Sequence, residues 1–284
     1  MQKFSFRRLL CLSWVIFCSI FVVSCNSVFY QPDDREYWNP ADAGLPNQSF
    51  YITAADGIKL HLWHLYPADD KPNKGVVLHF HGNAQNMSAH SRFAGWLTQH
   101  GYHVVTFDYR GYGKSEGIPD RTGVTMDGQA ALHWIRQQND LKDLPLIVLG
   151  QSIGGAIAIS SLAASASSPA LVVLDSSFAA YRQVAVDVMA THWLTWPFQW
   201  LGYVLISDHL SPVDHVAAVK TRWLFIHSQK DPVVPLSSIM ALYKKVSGPK
   251  DLWVLPEQGH IIAFYQGSPY RQKLIQYLNQ ELHQ

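Results

Sequence analysis

The sequence predicts an α/β fold: a doubly wound, mostly parallel sheet with helices on both faces and a small helical lid. Three observations carry this. Short apolar runs at 75–80, 103–109, 146–150, 171–175, 223–227 and 252–256 alternate with helical stretches, among them 89–100, 123–138 and 236–246. Repeated strand–helix order implies parallel strands joined by crossovers that cover both faces. Ahead of these units, 50–53 and 58–66 flank Ala54-Ala55-Asp56-Gly57, which reads as an antiparallel hairpin with Asp-Gly in its turn. Finally, 284 residues at 48% hydrophobic and 15% charged suit one large domain with a substantial core.

In chain order, Lys3, Arg7 and Arg8 form a positive start, and residues 9–23 are apolar apart from Ser13 and Ser19. That run is short for a membrane span, which takes about 20 residues, and suits a secretory h-region. It ends in Val22-Val23-Ser24-Cys25, which resembles a bacterial lipoprotein box with Val22 where leucine is usual. The resemblance implies a signal peptide over 1–24 and a lipid on Cys25. With Asn26 following rather than Asp, it also implies an outer-membrane destination. An uncleaved anchor helix is the alternative. Both place the domain outside the cytoplasm at a membrane. Residues 25–48 are polar with several prolines and read as a tether, so the domain is expected over 49–284.

The three cysteines are Cys11, Cys18 and Cys25, so no disulfide is available within the domain and its stability must come from its core. Net charge is +1, with no basic block interleaved with aromatics. Nucleic acid is therefore excluded as a partner, and a monomer is expected.

Gly150-Gln151-Ser152-Ile153-Gly154 fits G-x-S-x-G between the apolar run 145–149 and a small apolar stretch at 155–159. Strand, sharp turn and helix form the context in which that pattern exposes a serine hydroxyl above a sheet edge. Glycines flank the serine because side chains there would clash. The helix N-terminus aimed at the same spot favours developing negative charge.

A nucleophilic serine needs a base, and the base an orienting acid. Asp231 stands in the turn beyond the seventh strand and His260 in the loop beyond the eighth, the order and placement that go with a G-x-S-x-G serine in a sheet of this kind. Asp175, ending the sixth strand, is the competing acid. An oxyanion needs two donors: the backbone N–H of Ile153, after the serine, and that of Asn83, in the loop after the third strand. His79 and His81 share a strand face and could ligate a metal, but no third ligand accompanies them, so none is expected. Gly113-Lys114-Ser115 is not a phosphate loop, because Asp108 stands where the first glycine belongs. It reads as a structural loop held by Asp108 and Arg110.

The segments His81-Gly82-Asn83-Ala84, Asp108-Tyr109-Arg110-Gly111, 150–154, Asp231-Pro232-Val233-Val234-Pro235 and Gly259-His260 together resemble an α/β-hydrolase. The likeness is to the membrane-associated group that includes acyl-protein thioesterases and lysophospholipases, and it runs from about residue 50 to the C-terminus. It implies Ser152 as nucleophile, His260 as base, Asp231 as orienter, Asn83 and Ile153 as oxyanion donors, and no cofactor. The expected activity is cleavage of small-molecule or lipid-like carboxylic esters or thioesters through an acyl-enzyme. A serine peptidase on the same fold and a catalytically dead, tethered binding module are the alternatives. Residues 176–220 form the expected lid, centred on the aromatic-rich 193–201. Those aromatics are expected either to wall an acyl chain or to glue the lid to the core.

Overall fold

A computed structural model describes residues 29–68, 71–191 and 193–282. The expected signal peptide and Cys25 lie outside the described residues. One eight-stranded sheet organises the chain. Its strands are β1 (Asn47–Thr53), β2 (Lys59–Leu65), β3 (Gly75–Phe80), β4 (Tyr102–Phe107), β5 (Leu146–Gln151), β6 (Leu171–Asp175), β7 (Arg222–Lys230) and β8 (Lys250–Gln258). They lie in the order β8-β7-β6-β5-β3-β4-β2-β1. The β1–β2 and β2–β4 pairs are antiparallel and the rest parallel.

Burial on both faces explains the central strands. Val76, Val77 and Leu78 of β3 are buried in succession, the continuous apolar pattern of a covered parallel sheet. One face packs on α1 (Arg121–Gln137), α2 (Ile153–Ala163) and α5 (Leu236–Lys245). The other packs on α6 (Pro269–Leu282) and the turns that follow β3. Between β6 and β7 the chain makes α3 (Tyr181–Thr191), a 3₁₀ turn at Trp196–Phe198, α4 (Leu201–Leu205) and a single turn at Pro212–His215. Register aligns Phe80 with Gly150, Gln151 with Asp175, and Asp175 with Ile226. The carboxyl ends of β3, β5, β6 and β7 therefore meet in one place, where open α/β sheets bind ligands.

Two expectations change. The helix expected over 89–100 is three short pieces, Met87–His90, Arg92–Gly95 and the 3₁₀ turn Trp96–His100. Gly95 is a poor helix former, and the Thr98 hydroxyl donates back to its carbonyl at 2.8 Å, which tightens the turn. The tether expected over 25–48 is not free from Phe29 onward. Phe29 and Tyr30 are 6% and 3% exposed, in the core. Gln31–Pro32 pairs with Ala84–Gln85 in parallel. The Gln31 N–H donates to Asn83 O at 3.0 Å, the Asp33 N–H to Gln85 O at 3.3 Å, and the Gly113 N–H to Asp33 O at 2.9 Å. Polarity hid this strap, because what ties it to the loops beneath is its backbone, whose N–H and C=O groups pair with theirs.

The loop after β4 is held as expected. Asp108 takes the Met87 N–H at 2.8 Å. Arg110 reaches Asp127 at 2.8 Å and Asp56 at 2.7 Å.

Candidate active site

Ser152 sits between β5 and α2 at φ 53° and ψ −121°, a conformation costing about 1–3 kcal/mol for a non-glycine residue. Its N–H donates to Asp175 O at 2.9 Å. The turn is closed by its glycines: a Cβ on Gly154 would run into the carbonyl oxygens of Phe80 and His81, and one on Gly150 into Gly155. The N-terminus of α2 therefore starts beside the Ser152 hydroxyl.

His260 lies in the loop after β8 and Asp231 just after β7. His260 Nδ1–H donates to Asp231 Oδ2 at 2.7 Å; the carboxylate can only accept, which fixes the ring tautomer with Nε2 unprotonated. Asp231 Oδ1 accepts the N–H groups of Val233 at 2.8 Å and Val234 at 3.0 Å. Burial pushes the Asp231 carboxyl up, but the His260 hydrogen bond and charge with those two N–H groups outweigh it and hold it below its ordinary value. His227 Nε2–H is committed to Val234 O at 2.8 Å, which braces the same turn.

Ser152, Ile153, Asn83 and His260 line one cavity of about 190 Å³. The structure thus brings together every site residue expected within the described chain. Asn83 is fixed through its carbonyl, which accepts from Gln31 N–H and, at 2.7 Å, from the Tyr112 hydroxyl.

Asp175 does something else. It is fully buried, and its Oδ2 accepts from Gln151 Nε2 at 3.1 Å. Gln151 Oε1 in turn accepts from His79 Nε2 at 2.9 Å. On the far side, the Ser176 hydroxyl donates to Asp175 Oδ1 at 3.3 Å and accepts the Ile261 N–H at 3.1 Å. This buried chain links the neighbour of Ser152 to the neighbour of His260. Burial pushes the Asp175 carboxyl up to about 6.

His79 and His81 do not form a ligand pair. His79 bonds Thr106 and Gln151, while His81 Nδ1–H donates to Gly82 O at 2.7 Å and its ring lies 4.2 Å from Tyr109. Burial lowers both, His79 to about 4, so the rings are neutral packing elements. Elsewhere, His64, His103 and Asp140 bring ligand atoms within 4.8 Å of one another. There His64 Nε2 and His103 Nδ1 share a hydrogen bond at 2.9 Å.

The cavity wall differs from expectation. It is made by Phe29, Phe178, Val184, Ala185, Val188, Val233 and Val234. The tryptophans of 193–201 neither line it nor glue the lid to the core; their side chains are exposed. Val184 and Val188 stand four apart on α3, a helical spacing that could have been read. Nothing in the sequence marks Phe29.

Sheet order, serine turn and the loops after β7 and β8 define the α/β-hydrolase fold. Over residues 71–214 the chain matches the family described as serine aminopeptidase, S33 (Hydrolase_4), and it belongs to that family of hydrolases. It is 33% identical to the uncharacterized protein YfhR of Escherichia coli (strain K12) over 273 residues, 93% of this chain and 91% of YfhR. It is 30% identical to the lysophosphatidylserine lipase ABHD12 of Danio rerio over 267 residues, 83% of this chain and 68% of that protein. Among solved structures, the Pyrococcus furiosus esterase Pf2001 superposes with a TM-score of 0.73 at 20% identity, over 89% of this chain and 98% of the esterase.

Proposed function

We propose that this protein is a serine hydrolase that cleaves carboxylic esters or thioesters of lipid-like molecules through an acyl-enzyme. The observation that carries it is that His260, held by Asp231 at 2.7 Å, lines the same apolar cavity as the strained Ser152. Ser152 Oγ attacks the carbonyl carbon while its proton passes to His260 Nε2. The carbonyl oxygen becomes an oxyanion held by the Asn83 and Ile153 N–H groups. The C–O or C–S bond then breaks, and the leaving group takes the proton from His260. Water, deprotonated by His260, attacks the acyl-serine, and as the acid leaves Ser152 Oγ takes that proton back from His260. Asp231 holds the imidazole and stabilises its charged form.

The cavity supports an acyl chain of moderate length. Its 190 Å³ and its wall of valine, alanine and phenylalanine take several methylenes. Each adds about 0.8 kcal/mol, or about fourfold in kcat/KM, until the space is full. The polar lining consists of Asn83, Ser152 and His260. No carboxylate among the described lining residues would hold the free ammonium of an aminopeptidase substrate, which favours esters over the family's titular activity. The zebrafish relative's lipase name supports the same substrate class.

The test is a series of p-nitrophenyl esters from acetate to palmitate beside aminoacyl amides. A kcat/KM that rises to hexanoate or octanoate, and falls by about 10⁴ or more in Ser152→Ala, is expected. Preference for the amides, or activity surviving in Ser152→Ala, overturns the reading; a chain inert to every substrate and to a fluorophosphonate is the dead binding module.

We further propose that residues 1–24 are removed on export and that Cys25 carries lipid, which tethers a monomeric domain to the outer membrane on its periplasmic side. The short apolar run closing on Cys25 supports this. Cys25→Ser should abolish incorporation of labelled fatty acid, and persistent labelling would remove the site.

A further inference from the structure

The lid carries an apolar surface that the cavity does not use. Trp193, Trp196, Phe198 and Trp200 are 82%, 59%, 54% and 57% exposed, and Leu194, Tyr203, Val204 and Leu205 are exposed beside them. Between Asp187 and Asp208 the sequence has no Asp, Glu, Lys or Arg. Scattered exposed apolar residues are ordinary; a contiguous uncharged patch of this size marks an interaction surface. The patch is also fixed in place: the Thr195 hydroxyl donates to Met189 O at 2.7 Å, and the Tyr203 hydroxyl to Gln183 Oε1 at 3.2 Å. Tryptophan and tyrosine with leucine and valine, free of charge, is the composition of a surface that sits at a lipid–water boundary.

What covers the patch follows from where the chain enters the domain. Phe29 packs edge-on against Tyr181 of α3, ring centroids 5.1 Å apart, and lines the cavity. The chain ahead of it, which begins at the proposed lipid-bearing Cys25, therefore enters the domain beside the lid. Val188 of α3 lines the cavity and is itself exposed, and the same helix packs through Val186 on Gly202 of the patch, so one helix carries both the cavity wall and the patch. We propose that the segment 193–205 docks onto a lipid bilayer, its tryptophans at headgroup depth, so that the cavity mouth opens at the membrane surface. An interfacial element of this kind enters about 5–10 Å. The proposal concerns binding and does not depend on the esterase reading.

The test uses the lipidated chain, with Trp14→Phe so that nine of the ten tryptophans report whether or not residues 1–24 have been removed. Vesicles of phosphatidylcholine and phosphatidylglycerol are prepared with brominated or ordinary acyl chains. Bromine should quench about a third of the emission, the share of three tryptophans among the nine. Adding Leu194→Asp and Val204→Asp, both at exposed positions, should cut the quenching to under about a tenth. The chain should still sediment with vesicles through its N-terminal segment, and its unfolding midpoint should not move. Undiminished quenching in the double variant overturns the proposal. So does absent quenching, whether sedimentation then shows a dimer closed over the patch or a monomer that leaves it facing water.

Discussion

Asp231→Asn changes one atom, and the surrounding hydrogen bonds dictate which way the new amide points. Asp231 Oδ1 accepts two backbone N–H groups, from Val233 and Val234, at 2.8 and 3.0 Å. An amide turned to face them with its NH₂ would lose both bonds, about 1 kcal/mol each, and strand the partly buried Val234 N–H at about 1–3 kcal/mol more. The amide oxygen therefore stays with the valines and the NH₂ faces His260 Nδ1. Two donors cannot share that contact, so the ring proton moves to Nε2, the nitrogen that must take the Ser152 proton. The expected loss is about 10²–10⁴ in kcat with KM little changed, or about 2.7–5.4 kcal/mol at about 1.36 per decade. The assay is hydrolysis of p-nitrophenyl hexanoate, with circular dichroism to show that the variant is folded. Asp175→Asn serves as the comparison, since Asp175 bonds Gln151 and Ser176 rather than His260, and it should lose less than about tenfold. A folded Asp231→Asn within about tenfold of wild type, or an Asp175→Asn that is the more damaging, refutes the reasoning.

Asp175 should instead reveal itself in stability against pH. Its folded value is raised from 3.8 to about 6 by burial. The folded state therefore holds the proton more tightly, and stability is greatest below about 3.8 and falls as pH rises to about 6. The effect is on the order of 3 kcal/mol. Urea midpoints of Asp175→Asn and wild type should shift in favour of the variant between pH 4 and 7; parallel profiles would remove the claim. Asp127→Asn should cost about 3–5 kcal/mol in urea unfolding, because Asp127 is fully buried and Arg110 nearly so, and Asp56 alone cannot satisfy the guanidinium. A loss under about 1 kcal/mol would mean that Asp56 compensates. Val188→Trp should fill part of the 190 Å³ cavity and lower kcat/KM for octanoate by more than about tenfold while sparing acetate. Equal loss on both substrates would show that Val188 does not bound the acyl chain.

The buried strands were legible almost to the residue. The runs read at 75–80 and 171–175 are β3 and β6 as found, because parallel strands covered on both faces are uniformly apolar. β7 and β8 run further than their apolar runs, since pairing continues to Lys230 and Gln258 through polar residues that periodicity discards. Loop order placed Asp231 and His260 near one another on paper. Only the structure supplies the 2.7 Å contact and the two N–H groups that orient the carboxylate. The turns at 87–100 were misread because apolar spacing does not report the back-bond from Thr98. The tryptophans were misread for a more general reason: hydrophobicity identifies what avoids water but not which side of a helix pair it occupies. Phe29 was invisible because its partner, Tyr181, is remote in sequence, and such packing leaves no local pattern.

The strap at residues 29–33 gives the molecule a mechanical property. A load applied to the chain ahead of Phe29 is not taken up by the sheet. It reaches first the packing of Phe29 on Tyr181 and the buried Tyr30, then the bonds of Gln31 to Asn83, Asp33 to Gln85 and Gly113 to Asp33, backbone hydrogen bonds of about 1 kcal/mol each. The parallel pairing of Gln31–Pro32 with Ala84–Gln85 lies in the same path. Tension would draw Phe29 out of the cavity wall and slacken the loop carrying Asn83 while the eight-stranded ladder remained intact. Pulled by its leading end, the domain would yield at the serine-lined cavity well before it unfolded, so the strap works as a fuse between the leading end of the chain and the loop that carries Asn83.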